Sequence, residues 1–310
     1  MPTGAYYVSH ANAYINHIAS VFSITGCYAD DECERAAKTA FLMEKAVCMS
    51  QMTPAQSQDA SLTNNWLKRT QLPRGFDWDM YFRRLRVYPT MLNVDYVAFL
   101  KSCMRLMQSP NMVPYLRWRC ADLLASQMGP RAEAAQFAFY GNQLAGMKKD
   151  RTLQKRRVNA LETMLPEYIG LRFVELRKDE HRANRECAKL VAKSVAAALR
   201  ASFVKSKRLN KATKDAWCEK LDRLRYKVGY PDDDDIAPAA LEVAALAKRL
   251  AAKGYPWPTV VLETLRARRA MTLARFGHPI NGVFWEDMQP HTVNACYVVC
   301  PQPMSIIVIV

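Results

Sequence analysis

The residues able to do chemistry in this sequence are five histidines, nine cysteines, an aspartate run and three basic clusters. A zinc-activated water needs two histidines on one helix face, a third protein ligand and a general base, as in HExxH followed by a distant Glu. His10, His17, His181, His278 and His291 supply neither HExxH nor HxxxH, and none pairs with a cysteine at zinc spacing. His10 and His17 are seven apart and can share a helix face, but no carboxylate pattern accompanies them, so they read as surface histidines. The cysteines lack CxxC pairs; the nearest are Cys27 with Cys33 and Cys296 with Cys300, and the odd count leaves at least one without a partner in this chain. Asp232–Asp235 has neither the alternating ligands nor the glycine of a calcium loop and reads as a solvated turn whose last residue caps a helix. GxSxG, Walker A and GxGxxG are absent. The sequence therefore points to no catalytic residue and no metal ligand.

The basic clusters are Lys148–Arg157, Arg200–Lys214 and Arg266–Arg269. With 44 Lys and Arg against 29 Asp and Glu, the net charge of +15 raises the question of a polyanionic partner. No nucleic-acid module accompanies the clusters, and the aromatic residues sit at core spacing instead of forming a stacking platform. Solvated helix faces are the better reading, and nucleic-acid binding is disfavoured. Half of the 310 residues are hydrophobic and 24% are charged, which is globular composition and excludes a disordered chain. No apolar run reaches the length of a membrane-spanning helix, and the opening Met1-Pro2-Thr3-Gly4-Ala5 lacks the basic and apolar regions of a signal peptide. No address is written in the chain.

The elements that would position any site are mainly helical. Apolar residues recur at three and four over 6–22, 33–49, 76–85, 94–107, 114–128, 131–145, 154–169, 179–203, 211–228, 238–253 and 258–276. Within 114–128 the expected inward residues are Leu116, Cys120 and Leu123 or Leu124. Val191, Val195, Leu199 and Phe203 form the apolar stripe of the longest helix. A short helix is expected near Trp66, inside an irregular connection. The helix over 211–228 is expected to stop at Gly229-Tyr230-Pro231, a glycine stop with proline beyond. Alternation typical of strands appears only at 291–299 and 305–310, separated by a proline-containing turn. The predicted fold class is thus mainly α, a multi-helix domain with a short C-terminal β-hairpin. Met304–Val310 is expected to be an exposed apolar edge unless something covers it.

Trp217-Cys-Glu-Lys-Leu-Asp-Arg-Leu-Arg-Tyr-Lys-Val-Gly-Tyr-Pro-Asp resembles a block of the neprilysin and endothelin-converting-enzyme family of zinc metallopeptidases, in which a T-x3-A-x2-K-L helix ends in I/V-G-Y-P-D. Trp285-Glu-Asp-Met-Gln-Pro-His-Thr-Val-Asn-Ala-Cys-Tyr is similar to the family's W-x-M-x-P-x-x-V-N-A-Y-Y. Trp118-Arg119, Phe139-Tyr140 and Ile169–Glu175 fall in the family's order, as does the opening Pro2–Tyr7. The likeness runs along essentially the whole chain.

This resemblance implies a helical N-terminal, substrate-gating domain over 1–236, a helical linker over 237–290 and the first hairpin of a catalytic domain over 291–310. In complete family members a helix bearing HExxH and a further glutamate bind zinc; neither lies in these 310 residues, so the chain alone is expected to bind no cofactor and not to be catalytic. The alternative is a pseudo-peptidase that binds peptides or pairs with a full-length relative bearing the catalytic domain. By resemblance, Asn294 and Ala295 contact the backbone of a peptide substrate, with Cys296 in place of the usual aromatic. Lys155-Arg156-Arg157-Val158 stands where the family has W-R-R-C, so the cysteine that bonds to the catalytic domain is missing. Complete members face the outside at the plasma membrane or are secreted.

Overall fold

The computed structural model describes residues 4–230, 237–277, 288–299 and 305–309. It is mainly helical, as expected. The chain divides into two compact units, Met1–Thr152 with Tyr255–Leu262, and Leu153–Gly254 with Glu263–Val310.

The first unit opens with two long helices, α1 (Gly4–Thr25) and α2 (Asp30–Met49), then two single turns, α3 (Pro54–Ser57) and α4 (Ala60–Thr63). Trp66 lies in a strand, β1 (Trp66–Lys68), instead of the expected short helix; it pairs antiparallel with β2 (Met91–Asn93), so Trp66 faces Asn93 and Lys68 faces Met91. A 3₁₀ turn (Arg69–Gln71) and α5 (Trp78–Leu85) lie between the two strands. Asp77 caps α5, its side chain accepting from the Met80 N–H at 2.8 Å. After β2 come α6 (Val97–Leu106), α7 (Met112–Ala125) and α8 (Pro130–Gln136), the last continuing as a π-helix over Phe137–Leu144.

The core of this unit is made where α1, α2 and α7 meet. Ile18, Val21 and Phe22 of α1 press on Cys33, Ala36, Ala37 and Ala40 of α2, and on Trp118, Ala121 and Ala125 of α7. Alanines at i, i+1 and i+4 of α2 leave little side chain between backbones, so the larger α1 and α7 residues fill the remaining space. The inward face of α7 is therefore Trp118, Ala121 and Ala125, and the expected Leu116, Cys120 and Leu123 are exposed. Leucines occur on more than one face of this helix; Trp118, the largest fully buried side chain, decides which one turns inward.

The second unit holds α9 (Leu153–Met164), α10 (Pro166–Leu176), α11 (Lys178–Lys205), α12 (Lys211–Asp222), β3 (Arg225–Val228), α13 (Ala237–Ala252), most of α14 (Trp257–Leu273), β4 (Ala295–Val299) and β5 (Ser305–Ile309). The expected helix over 154–169 is two helices, because Pro166 brings no N–H and its ring excludes helical geometry at Leu165, whose backbone sits at φ −135°, ψ 46°. α10 and α14 are joined by a bidentate ion pair: Arg268 Nε and Nη2 donate to the Glu167 carboxylate at 2.8–2.9 Å, both side chains largely covered.

Three further expectations are corrected here. The helix begun at Lys211 ends at Asp222, and Arg225–Val228 is a strand that pairs parallel with β5. The three- and four-residue spacing of Leu221, Leu224 and Val228 suggested one helix, but a tertiary strand partner overrides it. As a result β5 is the middle strand of the order β3-β5-β4, and Ser305–Ile309 is not an edge. The antiparallel β4–β5 hairpin itself forms as expected, Ala295 opposite Ile309. The stripe of α11 also behaves differently: Val191, Val195 and Leu199 are exposed, and Ala192 is the residue of that helix that is buried.

Candidate functional site

The residues that resemblance marks for peptide contact, Asn294 and Ala295, lie at the start of β4. The segment leading to them is held against α10. Met288 and Gln289 are buried, and Gly170 of α10 gives Pro290 room: a Cβ on Gly170 would sit 2.7 Å from Pro290 Cδ. Thr292 N–H donates to the Gln289 carbonyl at 2.8 Å, turning the chain outward. His291 lies beside α9 and α10, its Nε2 3.8 Å from Glu162 Oε1 and its ring 6.3 Å from that of Phe173. Val293, Asn294 and Ala295 then emerge exposed, Val293 almost completely at 97%.

Asn294 Oδ1 accepts from the Ala295 N–H at 2.8 Å, a local bond that fixes the chain's entry into the strand. β4 is one edge of the three-stranded sheet. An edge strand turns the N–H and C=O of every second residue away from its neighbour, and those groups can accept an added strand.

At the other edge, the Val228-Gly229-Tyr230 block has a structural explanation. Gly229 has φ +72°, a conformation that suits glycine, and it ends β3. Arg185 of α11 donates through Nε to the Val228 carbonyl at 3.0 Å, and its guanidinium lies 4.4 Å from the centre of the Tyr230 ring. The motif thus secures the sheet to the longest helix. Its continuation, Pro231–Ile236, with the aspartate run, lies outside the described residues, as do His278, Trp285 and Cys300.

In the first unit, a polar network crosses the core and involves one of the sequence-selected histidines. His17 is buried at 6% exposure, which corrects its reading as a surface residue. Its ring stacks on Phe139 at 4.9 Å and meets Trp118 and Tyr140 edge-on at 5.6 and 5.3 Å. The π-helix brings Phe139 and Tyr140 to it, with Gly141 leaving space for the Phe137 ring, which would lie 2.4 Å from any Cβ there. Trp118 Nε1 donates to the Tyr14 hydroxyl at 3.0 Å, which donates to Glu44 at 2.8 Å. Tyr140 OH and Gln136 Nε2 donate to Asp122 Oδ1, while Arg119 pairs with Glu44 at 3.3 Å and lies 3.8 Å from Asp122. Burial pushes the Tyr140 hydroxyl up to about 12, aided by Asp122, and raises Tyr14 further.

Burial also lowers the affinity of His17 for a proton, against the opposing pull of Asp122 and of the Ala135 carbonyl. The sign of the consequence follows. Above about pH 6.5 the imidazole is neutral in both states and contributes no pH dependence; below it the unfolded chain binds the proton first, so stability falls with pH. Urea unfolding at pH 7.5 and pH 5.5 is expected to show a drop that is reduced in His17→Phe. An equal drop in that variant would assign the acid sensitivity elsewhere.

Among the described residues, no group of three or more His, Cys, Asp or Glu side chains is placed to hold a metal ion. Parts of the basic clusters are engaged within the fold: Arg200 pairs with Asp222, Arg266 with Glu263, Arg268 with Glu167, and Lys214 donates to the Val204 carbonyl. No helix among the described residues is long and apolar enough to cross a membrane.

Residues 1–231 match the family model for the N-terminal part of peptidase family M13. No curated protein matches the chain. Among solved structures, the chain is similar to the zinc metalloprotease Zmp1 of Mycobacterium tuberculosis in complex with an inhibitor, at 22% identity and a TM-score of 0.78, over 99% of this chain and 46% of that one. The open state of Zmp1 gives 23% identity and a TM-score of 0.74, over 96% and 46%. PepO of Lactobacillus rhamnosis gives 15% identity and a TM-score of 0.79, also over 96% and 46%. At these identities the likeness is one of fold, and the chain spans less than half the length of each protein.

Proposed function

The chain belongs to peptidase family M13, and from that membership we propose that it is the substrate-facing helical part of a metalloendopeptidase-type protein, binding short peptides along β4 without hydrolysing them by itself. In this reading 1–236 is the gating domain, 237–290 a linker and 291–310 the opening hairpin of a catalytic domain. The supporting observation is the position of Asn294 and Ala295, exposed at the start of a sheet-edge strand. A peptide laid beside β4 gains backbone hydrogen bonds whatever its side chains, and the Asn294 carboxamide can bond one of its peptide groups. Zinc in complete relatives supplies the activated water. The ligands for it are absent from the described residues, so these residues bind and orient substrate and no hydrolytic step is assigned to them.

Fluorescence anisotropy with a labelled short apolar peptide tests this on the full chain. Saturable binding is expected, weakened about fivefold in Asn294→Ala by loss of about one hydrogen bond. Binding indifferent to Asn294 would overturn the site, and chelator-sensitive cleavage of a quenched peptide by these 310 residues would overturn the non-catalytic role.

A further inference from the structure

A cleft in the first unit is formed by residues that the peptide-binding reading does not use. A cleft of about 500 Å³ opens between the turn Pro73-Arg74-Gly75 and one face of α6 with the turn that follows it, formed by Lys101, Met104, Arg105 and Gln108. That volume is in the range of small-ligand sites. The spacing 101, 104, 105, 108 is a single helical stripe, and Arg74 is brought opposite by a turn from a different part of the chain. The turn is held in place: Gly75 adopts φ +99°, and its carbonyl accepts from Gln108 Nε2 at 2.9 Å. Trp78 holds its other end, its Nε1 donating to the Pro73 carbonyl at 2.8 Å. Met104 is buried beneath, while Arg74, Lys101 and Arg105 are exposed.

Three cations line the cleft and no acidic residue does. The chain from Val97 to Ala121 contains no Asp or Glu. Some basic residues elsewhere in the unit pair with carboxylates, such as Arg35 with Glu32, Lys38 with Glu34 and Arg69 with Asp79. Lys101 and Arg105 stand at i and i+4, where like charges destabilise a helix, and Arg74 adds a third charge across the gap. Arg105 in the last turn of α6 offsets the negative end of the helix dipole, but that accounts for neither Lys101 nor Arg74. An anion in the cleft would relieve the repulsion, and two guanidinium groups with an ammonium match the fork and point-charge contacts that phosphate oxygens accept.

We propose that this cleft binds a compact, multiply charged oligophosphate. From Lys101 to Arg105 the charged part of the stripe runs about 6 Å along the axis, from four residues at the helical rise, a length suited to two or three linked phosphates.

Inorganic triphosphate is the probe, titrated calorimetrically into the full chain at low and physiological salt. Saturable binding is expected, weakening with salt. Each of Arg74→Ala, Lys101→Ala and Arg105→Ala is expected to lower affinity about fivefold, and the triple variant to abolish binding, with circular dichroism unchanged because all three side chains are exposed. Arg131→Ala, an exposed charge elsewhere in the same unit, should leave binding intact. Absence of saturable binding, binding that survives the triple substitution, or equal loss in Arg131→Ala overturns the proposal. So does an oligoglutamate peptide of matched charge that binds as tightly, since the cleft would then take an acidic chain.

Discussion

Trp118→Ala should cost about 4 kcal/mol of stability, the range found when a large buried aromatic is truncated. The indole is fully buried and is central to the first unit, edge-on to Tyr14, His17 and Phe22. Alanine there leaves a cavity between α1, α2 and α7 that the neighbouring alanines, Ala36, Ala37, Ala40 and Ala121, are too small to fill. It also removes the donor to the Tyr14 hydroxyl, disturbing the chain of bonds that leads through Glu44 to Arg119. A total stability of 5–15 kcal/mol is usual for a domain, so this one change takes a large fraction of it. Urea denaturation monitored by far-UV circular dichroism measures the loss. Trp118→Phe separates the two contributions: it keeps most of the packing, loses the N–H, and should cost about 1–2 kcal/mol. A loss below about 1 kcal/mol for Trp118→Ala would show that the unit's core lies elsewhere.

Gly170→Val should be the most damaging change near β4, at about 3 kcal/mol. A Cβ at this position meets Pro290 Cδ at 2.7 Å, Gln289 Oε1 at 3.1 Å and Pro290 Cγ at 3.3 Å. The proline ring cannot swing away and Gln289 is buried, so the 288–294 segment has to lift from α10. Helix propensity does not offset the clash, because valine gains little over glycine in a helix interior compared with alanine. The expected signature is local as well as global: faster hydrogen exchange at the Thr292 amide, which is bonded to the Gln289 carbonyl, and weaker peptide binding at β4. Unchanged exchange at 288–294 would mean that the segment is positioned by contacts other than Gly170.

Much of this fold is legible in the sequence because its signals are local. The Asp77 cap, the helical spacing of α1 and α2, and the alternation of 295–299 and 305–309 each involve residues within a turn or a strand of one another. The family blocks are also local strings, and the resemblance they carry stands with the family match over 1–231. The errors come where distant residues choose. Pro166 was a readable break that the apolar spacing on either side concealed. Arg225–Val228 reads as the end of a helix until β5, some eighty residues away, pairs with it. On α7, apolar residues occupy several faces, and the bulk of Trp118 against the small α2 face selects the inward one. His17 has no local sign of burial, since its aromatic enclosure comes from Trp118, Phe139 and Tyr140.

The candidate peptide-binding residues divide in the same way. Asn294 and Ala295 are legible as part of a motif, whereas their exposure at the start of an edge strand depends on β3 taking the far side of β5. The anion cleft was not anticipated. Lys101, Met104, Arg105 and Gln108 form a readable helix stripe, but Arg74 joins them only through the glycine turn that Gln108 holds.

The sequence by itself thus determined the helical class and the family, because periodicity, capping and motif strings are properties of neighbouring residues. Only the tertiary structure decided which helix faces are buried, which strand is an edge and which charges share a cleft. Those outcomes depend on volumes and pairings between segments far apart in the chain, and local spacing does not encode them.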